Sequence, residues 1–430
     1  MRAPTAAILS VGDELVLGTT LDTNSRTVAL ALRDAGYDTV EHRTVADSLH
    51  AQERALRELA TQHNLVVVTG GLGPTDDDLT RDALNLLLDS GAPMVEDPAR
   101  RAELRQWFEG RGRVMPPINA RQALHPRSAR TLPNPHGTAP GLAATWQRTQ
   151  IYCLPGPPSE MVPMLQAHVL PAIRLPDLPP VARVGVLTFG LGESQVAERL
   201  GSRMERGREP AVGTTASQSV VTVQVVARTG PSPLHAAMDE ARSCEALVQP
   251  YAFACAADTS APEASLAAAL LRAAAAAGVT VAVAESCTAG MLGAAIAAVP
   301  GSSAQFVGGW ITYANQLKER ELGVPAALLQ QHGAVSAPVA QAMAAGALQR
   351  AGAGIAMAVT GVAGPQGGSE AKPVGTVFIG VATPAGASAR RFHFPGPRDV
   401  VRDRATKAAL QLARFALLGV DAPLLWEQRT

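Results

Sequence analysis

Twice along this chain, a short apolar run rich in Val, Ile and Ala stops at a cluster of Gly, Ser, Thr and acidic residues and passes into an amphipathic stretch. This is the feature that most narrows the possible folds. Strands predicted at Ala6–Val11, Thr39–Val45 and Leu65–Thr69 alternate with helices at Asn24–Ala35, Ala51–Thr61 and Asp78–Leu88, and a helix at Pro98–Phe108, strand Gln150–Leu154 and helix Pro158–His168 follow. From helix Ala264–Ala277 onward the alternation returns, through strand Val279–Ala284, helix Thr288–Val299 and strand Phe306–Tyr313 to a last helix, Arg398–Leu418. Such βα alternation calls for a mostly parallel sheet with helices on both faces. Proline at Leu175–Pro180 and a second break at Ala257–Pro262 divide the chain, because proline removes backbone donors and blocks helix on both sides. The expected architecture is α/β: two three-layer α/β domains, residues 1–174 and 262–425, joined by a small α+β domain at 181–256.

Composition limits the partners. With 37 basic and 37 acidic residues the formal net charge is zero, which argues against a general nucleic-acid binder or a protein held on anionic membrane, since both need a basic footprint. Four cysteines without a CxxC, in 430 residues, read as reduced thiols rather than a disulfide scaffold or a zinc site. The apolar start is too short for a signal peptide, and Leu266–Ala277 falls well below the ~20 residues of a membrane span. A cytoplasmic protein is expected. Almost all the cationic charge is Arg; the lysines are Lys318, Lys372 and Lys407.

Open parallel sheets bind ligands beyond the carboxyl ends of their strands. There the first block places Ser10-Val-Gly-Asp-Glu14 and Gly70-Gly-Leu-Gly-Pro-Thr-Asp-Asp-Asp78. Gly70, Gly71 and Gly73 let backbone N–H groups approach a phosphate, with Thr75 beside them and a helix N-terminus behind. Asp76, Asp77 and Asp78 could hold a divalent metal ion together with phosphate oxygens; the alternative is that they only favour the helix dipole. The segment is neither a Walker A loop nor a dinucleotide fingerprint.

In the last block the strand runs into Glu285-Ser-Cys-Thr-Ala-Gly290. A Ser at a strand-to-helix turn suits a nucleophile beside free N–H groups, although an N-cap is the simpler role. Cys287 is the rival nucleophile, ranked lower because a lone apolar-flanked Cys is usually just buried. No His stands near in sequence, so Lys318 is the candidate base: a lysine can lose its proton when buried and an arginine cannot. Tyr313 could orient it. Ser303 and the segment Thr360-Gly-Val-Ala-Gly364 add hydroxyls and backbone donors through Thr360, Gly361 and Gly364, and Lys372, Arg398, Arg402 or Arg404 could meet a substrate phosphate.

At these motifs the sequence resembles the CinA family of bacterial proteins. The first block is similar to that family's molybdopterin-binding-like domain through Gly12-Asp-Glu14, Asp22-Thr-Asn24, the Gly70–Asp78 segment and Gly137-Thr-Ala-Pro-Gly141. The last resembles nicotinamide-nucleotide amidase through Ala284-Glu-Ser-Cys-Thr288, Pro300-Gly-Ser-Ser303, Tyr313-Ala-Asn315 with Lys318, Gly333-Ala-Val-Ser336, Thr360–Pro365 and Lys372-Pro-Val-Gly375. The middle segment looks KH-like but lacks the Gly-x-x-Gly loop that clamps a nucleic-acid backbone. The resemblance implies hydrolysis of the carboxamide of nicotinamide mononucleotide, with Ser286 as nucleophile, Lys318 as base, and Tyr313, Ser303 and Thr360 around the substrate. It also implies a metal-dependent ADP-ribose pyrophosphatase in the first domain. Ala289 departs from the family, which usually has Gly there. A homodimer is expected. The alternatives are an amidase with a silent nucleotide-binding first domain, or an accessory of competence or DNA repair.

Overall fold

A computed structural model describes residues 4–173, 181–228 and 232–428. The expected linker at Leu175–Pro180 lies outside the described residues. The chain forms two compact units, Met1–Val181 and Ala182–Thr430.

The first unit is built on a six-stranded sheet in the order Asp38–Val45, Thr5–Val11, Leu65–Thr69, Thr149–Leu154, Gly141–Trp146, Ala129–Leu132. The first four strands are parallel and the last two are added antiparallel. Leu65–Thr69 is buried at every position, as a strand covered on both faces must be. One core layer lies under helices Leu49–Gln62 and Thr80–Asp89, the other under Thr23–Asp34 and the helix that begins at Pro158. The antiparallel pair is invisible to the βα pattern: Ala129–Leu132 and Gly141–Trp146 are short and hairpin-connected, with no helix between them to mark the period.

The second unit holds a four-stranded antiparallel sheet, order Ala211–Ser217, Val220–Ala227, Ala182–Thr188, Ala252–Ala256, and a five-stranded mixed sheet, order Phe306–Ile311, Val281–Glu285, Ile355–Gly361, Thr376–Thr383, Gly386–His393. In the latter the first three strands are parallel and the rest antiparallel. The α+β middle domain is therefore present, but the break expected at Ala257–Pro262 does not separate two bodies. It is a tight turn in which Asp258 accepts from the Ser260 N–H at 2.9 Å, and one continuous core runs from Val184 to Leu424. Helix Arg398–Leu418 joins the two sheets. Its Gln411 amide donates to the Phe189 and Tyr251 carbonyls, and Arg414 donates to those of Pro250 and Ala252.

Candidate active sites

The three parallel strands of the second unit end together. The Ser286 N–H donates to the Val359 carbonyl at 2.9 Å and the Thr312 N–H to that of Glu285 at 2.8 Å, so the segments that follow each strand are fixed against their neighbours. Ser286 opens the turn after Val281–Glu285. Glu285, 1% exposed, folds its carboxylate forward onto the N–H groups of Gly290, Leu292 and Gly293 at 2.8–3.1 Å. A carboxylate there meets the positive end of the following helix, and it takes up N–H groups that a substrate would otherwise reach. The Cys287 and Thr288 N–H groups, between Ser286 and the helix, donate to no oxygen among the described residues.

Lys318 comes from the helix Asn315–Leu322, whose start no apolar period announces. Its side chain is buried, and Nζ lies 3.2 Å from Ser286 Oγ, 2.7 Å from the Thr312 carbonyl and 3.1 Å from that of Tyr313. Burial holds its pKa below the ordinary lysine value, a nearby Cys287 opposing. The count of bonds matters. Nζ donates to the two carbonyls and to Ser286 Oγ; were it to lose a proton, its two remaining N–H donors would serve the carbonyls and its lone pair would be left for the serine hydroxyl. Burial pushes the Cys287 thiol up to about 12, so it stays protonated and is no rival nucleophile.

Around this pair, Arg398 donates to the Tyr313 hydroxyl at 3.1 Å and to the Gly364 carbonyl at 2.8 Å, and Arg402 donates to the Thr288 carbonyl at 2.7 Å. Tyr313 is largely exposed and meets Lys318 through its carbonyl, not its ring. Thr360 is buried and donates to the Ala334 carbonyl at 2.8 Å; it braces the strand end, as Gly361 does where Val377 packs too closely for a side chain. Ser303 is exposed, on a short 3-10 turn.

In the first unit, a cleft of about 340 Å³ lies at the carboxyl ends of the parallel strands, lined by Gly12, Glu14, Asp47, the Gly70–Thr75 loop, Asp77, Asp78 and Glu160 among others. Two glycines are demanded by close approach: a Cβ at Gly70 would collide with the Val11 carbonyl, and one at Gly71 with the Thr80 hydroxyl, both at positive φ. Asp78 closes the loop on itself by accepting from the N–H groups of Gly73 and Thr75 and from the Thr75 hydroxyl. The Asp47 pKa is raised by burial, with Asp13, Glu14 and Asp77 adding to it through their like charge. That is the signature of carboxylates gathered on one cleft.

Comparison with known proteins decides the family. The chain is 42% identical over 416 residues to the CinA-like protein of Geobacter metallireducens, covering 96% of this chain and 99% of that protein. The chain belongs to the CinA family. The CinA-like protein of Geobacter sulfurreducens is 43% identical over 415 residues, with the same coverage. Three family models match in order: "Probable molybdopterin binding domain" at residues 7–175, "Damage-inducible protein CinA KH domain" at 186–252 and "CinA C-terminal domain" at 263–417. Among solved structures, the competence/damage inducible protein CihA from Agrobacterium tumefaciens is 37% identical, covers 37% of this chain and 96% of its own, and has a TM-score of 0.35.

Set on this CinA chain, the sequence-derived residues fall into two groups. In the second unit Ser286, Lys318, Tyr313 and Gly364 stand together, and in the first unit the Gly70–Gly73 loop lines the acidic cleft. Three others are engaged elsewhere. Arg404 is turned to the middle domain: it donates to Ser219 and to the Pro395 carbonyl and lies 4.4 Å from the Trp426 ring centroid, while Arg398 and Arg402, on the other face of the same helix, reach the serine turn. Asp76 points to solvent 3.9 Å from Arg121 and does not line the cleft, and Asp78 is committed to its own loop. Asp77 also lines the cleft, and a hydrogen bond from Thr75 holds its carboxyl below the usual carboxylate range. Sequence reasoning misses Glu14, Asp47 and Glu160 as partners because they lie in three separate segments that only the fold brings together. It misses Glu285 and Thr312 because their work is done by a folded-back carboxylate and a main-chain carbonyl.

Proposed function

We propose that the C-terminal domain of this CinA-family protein is an amidase that hydrolyses the carboxamide of nicotinamide mononucleotide to nicotinate mononucleotide and ammonia. The observation that carries this reading is the 3.2 Å approach of a buried Lys318 to Ser286. Neutral Lys318 takes the hydroxyl proton as Ser286 Oγ attacks the carboxamide carbon. The Cys287 and Thr288 N–H groups offer donors to the oxygen that becomes negative, a contribution of about 3–4 kcal/mol when one such donor is removed elsewhere. The lysine ammonium then gives its proton to the departing nitrogen, which leaves as ammonia. Water attacks the resulting ester with Lys318 as base, freeing the carboxylate and restoring Ser286. Arg398 and Arg402, at the rim, suit the phosphate of the nucleotide. Incubating the purified protein with nicotinamide mononucleotide and measuring ammonia tests the reading; no release above a heat-killed control sinks it.

The N-terminal domain, on the same reading, is an ADP-ribose pyrophosphatase. The glycine loop supplies N–H groups for a phosphate, and Glu14, Asp47 and Asp77 supply hard oxygen donors. No three acidic, His or Cys groups among the described residues stand close enough to cage an ion by themselves. On this reading a divalent cation held there would take phosphate oxygens for the rest of its shell, as Mg²⁺ does. Such an ion would neutralise charge on the diphosphate. ADP-ribose hydrolysis measured with and without added Mg²⁺ is the test. No helix among the described residues is long and apolar enough to cross a membrane, and the four cysteines are all unpaired, which suits a reduced cytoplasmic setting.

A further inference from the structure

Glu285 is the acid of the turn that carries Ser286, and it lies buried one residue before that hydroxyl. Its carboxylate accepts three backbone N–H bonds: Oε2 from Gly290 at 2.9 Å and Leu292 at 3.1 Å, and Oε1 from Gly293 at 2.8 Å. Gly290, at φ 97°, turns its N–H to the carboxylate in a conformation that a residue with a Cβ resists. Three cationic side chains stand about the same turn. Arg402 donates to the Thr288 carbonyl at 2.7 Å, Arg398 to the Gly364 carbonyl at 2.8 Å, and Lys318 Nζ lies 3.2 Å from Ser286 Oγ. The Cys287 and Thr288 N–H groups, free of oxygen partners among the described residues, complete the set.

Amide hydrolysis here would turn a neutral carboxamide into a carboxylate on an otherwise identical nucleotide. Free N–H groups among cations favour the charged form, because a hydrogen bond to an ionised acceptor is roughly twice as strong as one to a neutral acceptor. Without an opposing charge, such a site would hold its product more tightly than its substrate. Glu285 supplies that charge. A buried carboxylate beside the nucleophile opposes a second one, with little water between them to screen the repulsion. The tetrahedral oxyanion is spared, since it forms together with the Lys318 ammonium and leaves the net charge of the site unchanged. The product carboxylate remains after the lysine has returned to its neutral form, and meets Glu285 uncompensated.

We propose that Glu285 is a specificity-determining residue that sets this site against the carboxylate product and so keeps the amidase from being held by it. The proposal rests on the amidase reading, and its test separates the two. The full chain carrying Ser286→Ala is titrated with nicotinamide mononucleotide and with nicotinate mononucleotide, which differ only in carboxamide against carboxylate. The expected result is the amide bound at least about threefold more tightly than the acid, as two like charges in one site require. Adding Glu285→Gln, which keeps the shape and removes the charge, should move that ratio at least about tenfold toward the acid. Glu285→Asp, which keeps the charge, should retain the preference for the amide. A merely structural loss weakens both ligands alike and leaves the ratio where it was. Equal or tighter binding of the acid with Glu285 in place overturns the proposal, and that measurement needs no Glu285 variant to fold. An unchanged ratio in a folded Glu285→Gln protein overturns it as well. Absence of ammonia release by the parent beside a Glu285-dependent preference instead overturns the amidase reading and leaves the discrimination standing. Binding of neither nucleotide overturns both.

Discussion

Lys318 reaches Ser286 across 32 residues of sequence, with Nζ 3.2 Å from Oγ, and both side chains are shut away from bulk water. Two carbonyls hold the amine in place, and no carboxylate among the described residues is one of its hydrogen-bond partners. A lysine stored this way costs stability as an ammonium and is useful as an amine. Replacing Ser286 by Ala is expected to lower ammonia release by at least about 10³-fold, the scale seen when a nucleophile is lost, with an unchanged melting temperature. Lys318→Arg should be nearly as inactive because a guanidinium does not give up its proton. Turnover within tenfold of the parent in either variant would remove that residue from its role.

The direction of the Lys318 shift fixes the pH dependence. Its folded pKa lies below the ordinary lysine value, and the active form is neutral, so kcat/KM should rise with pH through that lowered value and then level off. Stability moves the same way: between the folded and unfolded pKa values the unfolded chain binds more protons, so raising pH favours the folded state. A profile of kcat/KM that falls over the neutral-to-alkaline range before any unfolding would contradict the assignment.

Ala289 adopts φ 48° in the serine turn, in the left-handed region that costs a residue with a Cβ roughly 1 kcal/mol. Ala289→Gly should therefore raise the unfolding free energy by about 1 kcal/mol, measured by denaturant titration, and leave ammonia release close to the parent value. A destabilised Gly variant would show that the Ala side chain gains more from packing than its backbone loses.

The fold and the candidate nucleophile, Ser286, are legible because they rest on local signals. The strand Leu65–Thr69 can be read to the residue, since a parallel strand buried on both faces is an unbroken apolar run, and helix Arg398–Leu418 can be read between its proline and glycine. Lys318 stands out through its rarity in an arginine-rich chain. What cannot be read is what depends on sheet order. Glu14, Asp47 and Asp77 share a cleft only because strands Asp38–Val45, Thr5–Val11 and Leu65–Thr69 are neighbours. Arg404 and Arg402 differ by two positions on one helix, hence by more than half a turn, and nothing in the sequence says which face meets the serine turn.

The aspartates of the glycine loop should separate by role. Asp78→Ala strands three donors at once, so it is expected to cost about 2 kcal/mol of stability as well as ADP-ribose hydrolysis. Asp77 is exposed at the rim, and Asp77→Ala should lower hydrolysis without a measurable change in melting temperature. If the stability losses are reversed, the loop-closing role belongs to the other residue.

Arg414 tests whether the middle domain and the C-terminal domain form one cooperative body. The residue is 9% exposed, and its guanidinium donates to the Pro250 carbonyl at 3.0 Å, the Ala252 carbonyl at 2.7 Å and Gln411 Oε1 at 3.2 Å. Gln411 in turn holds the Phe189 and Tyr251 carbonyls. Arg414→Ala leaves buried carbonyls without donors and loosens the glutamine, a loss of about 2–3 kcal/mol concentrated at one seam. The apolar part of that seam, where Tyr251 meets Phe415 edge-on at 6.0 Å, remains. Calorimetry should then show the middle domain melting ahead of the C-terminal domain, where the parent second unit, with its one continuous core, is expected to melt in a single transition. Ammonia release below the first transition should be retained, because Ser286 and Lys318 take their positions from the five-stranded sheet. A variant that still melts with the parent's single transition at the parent temperature would show that the apolar seam alone binds the two sheets together.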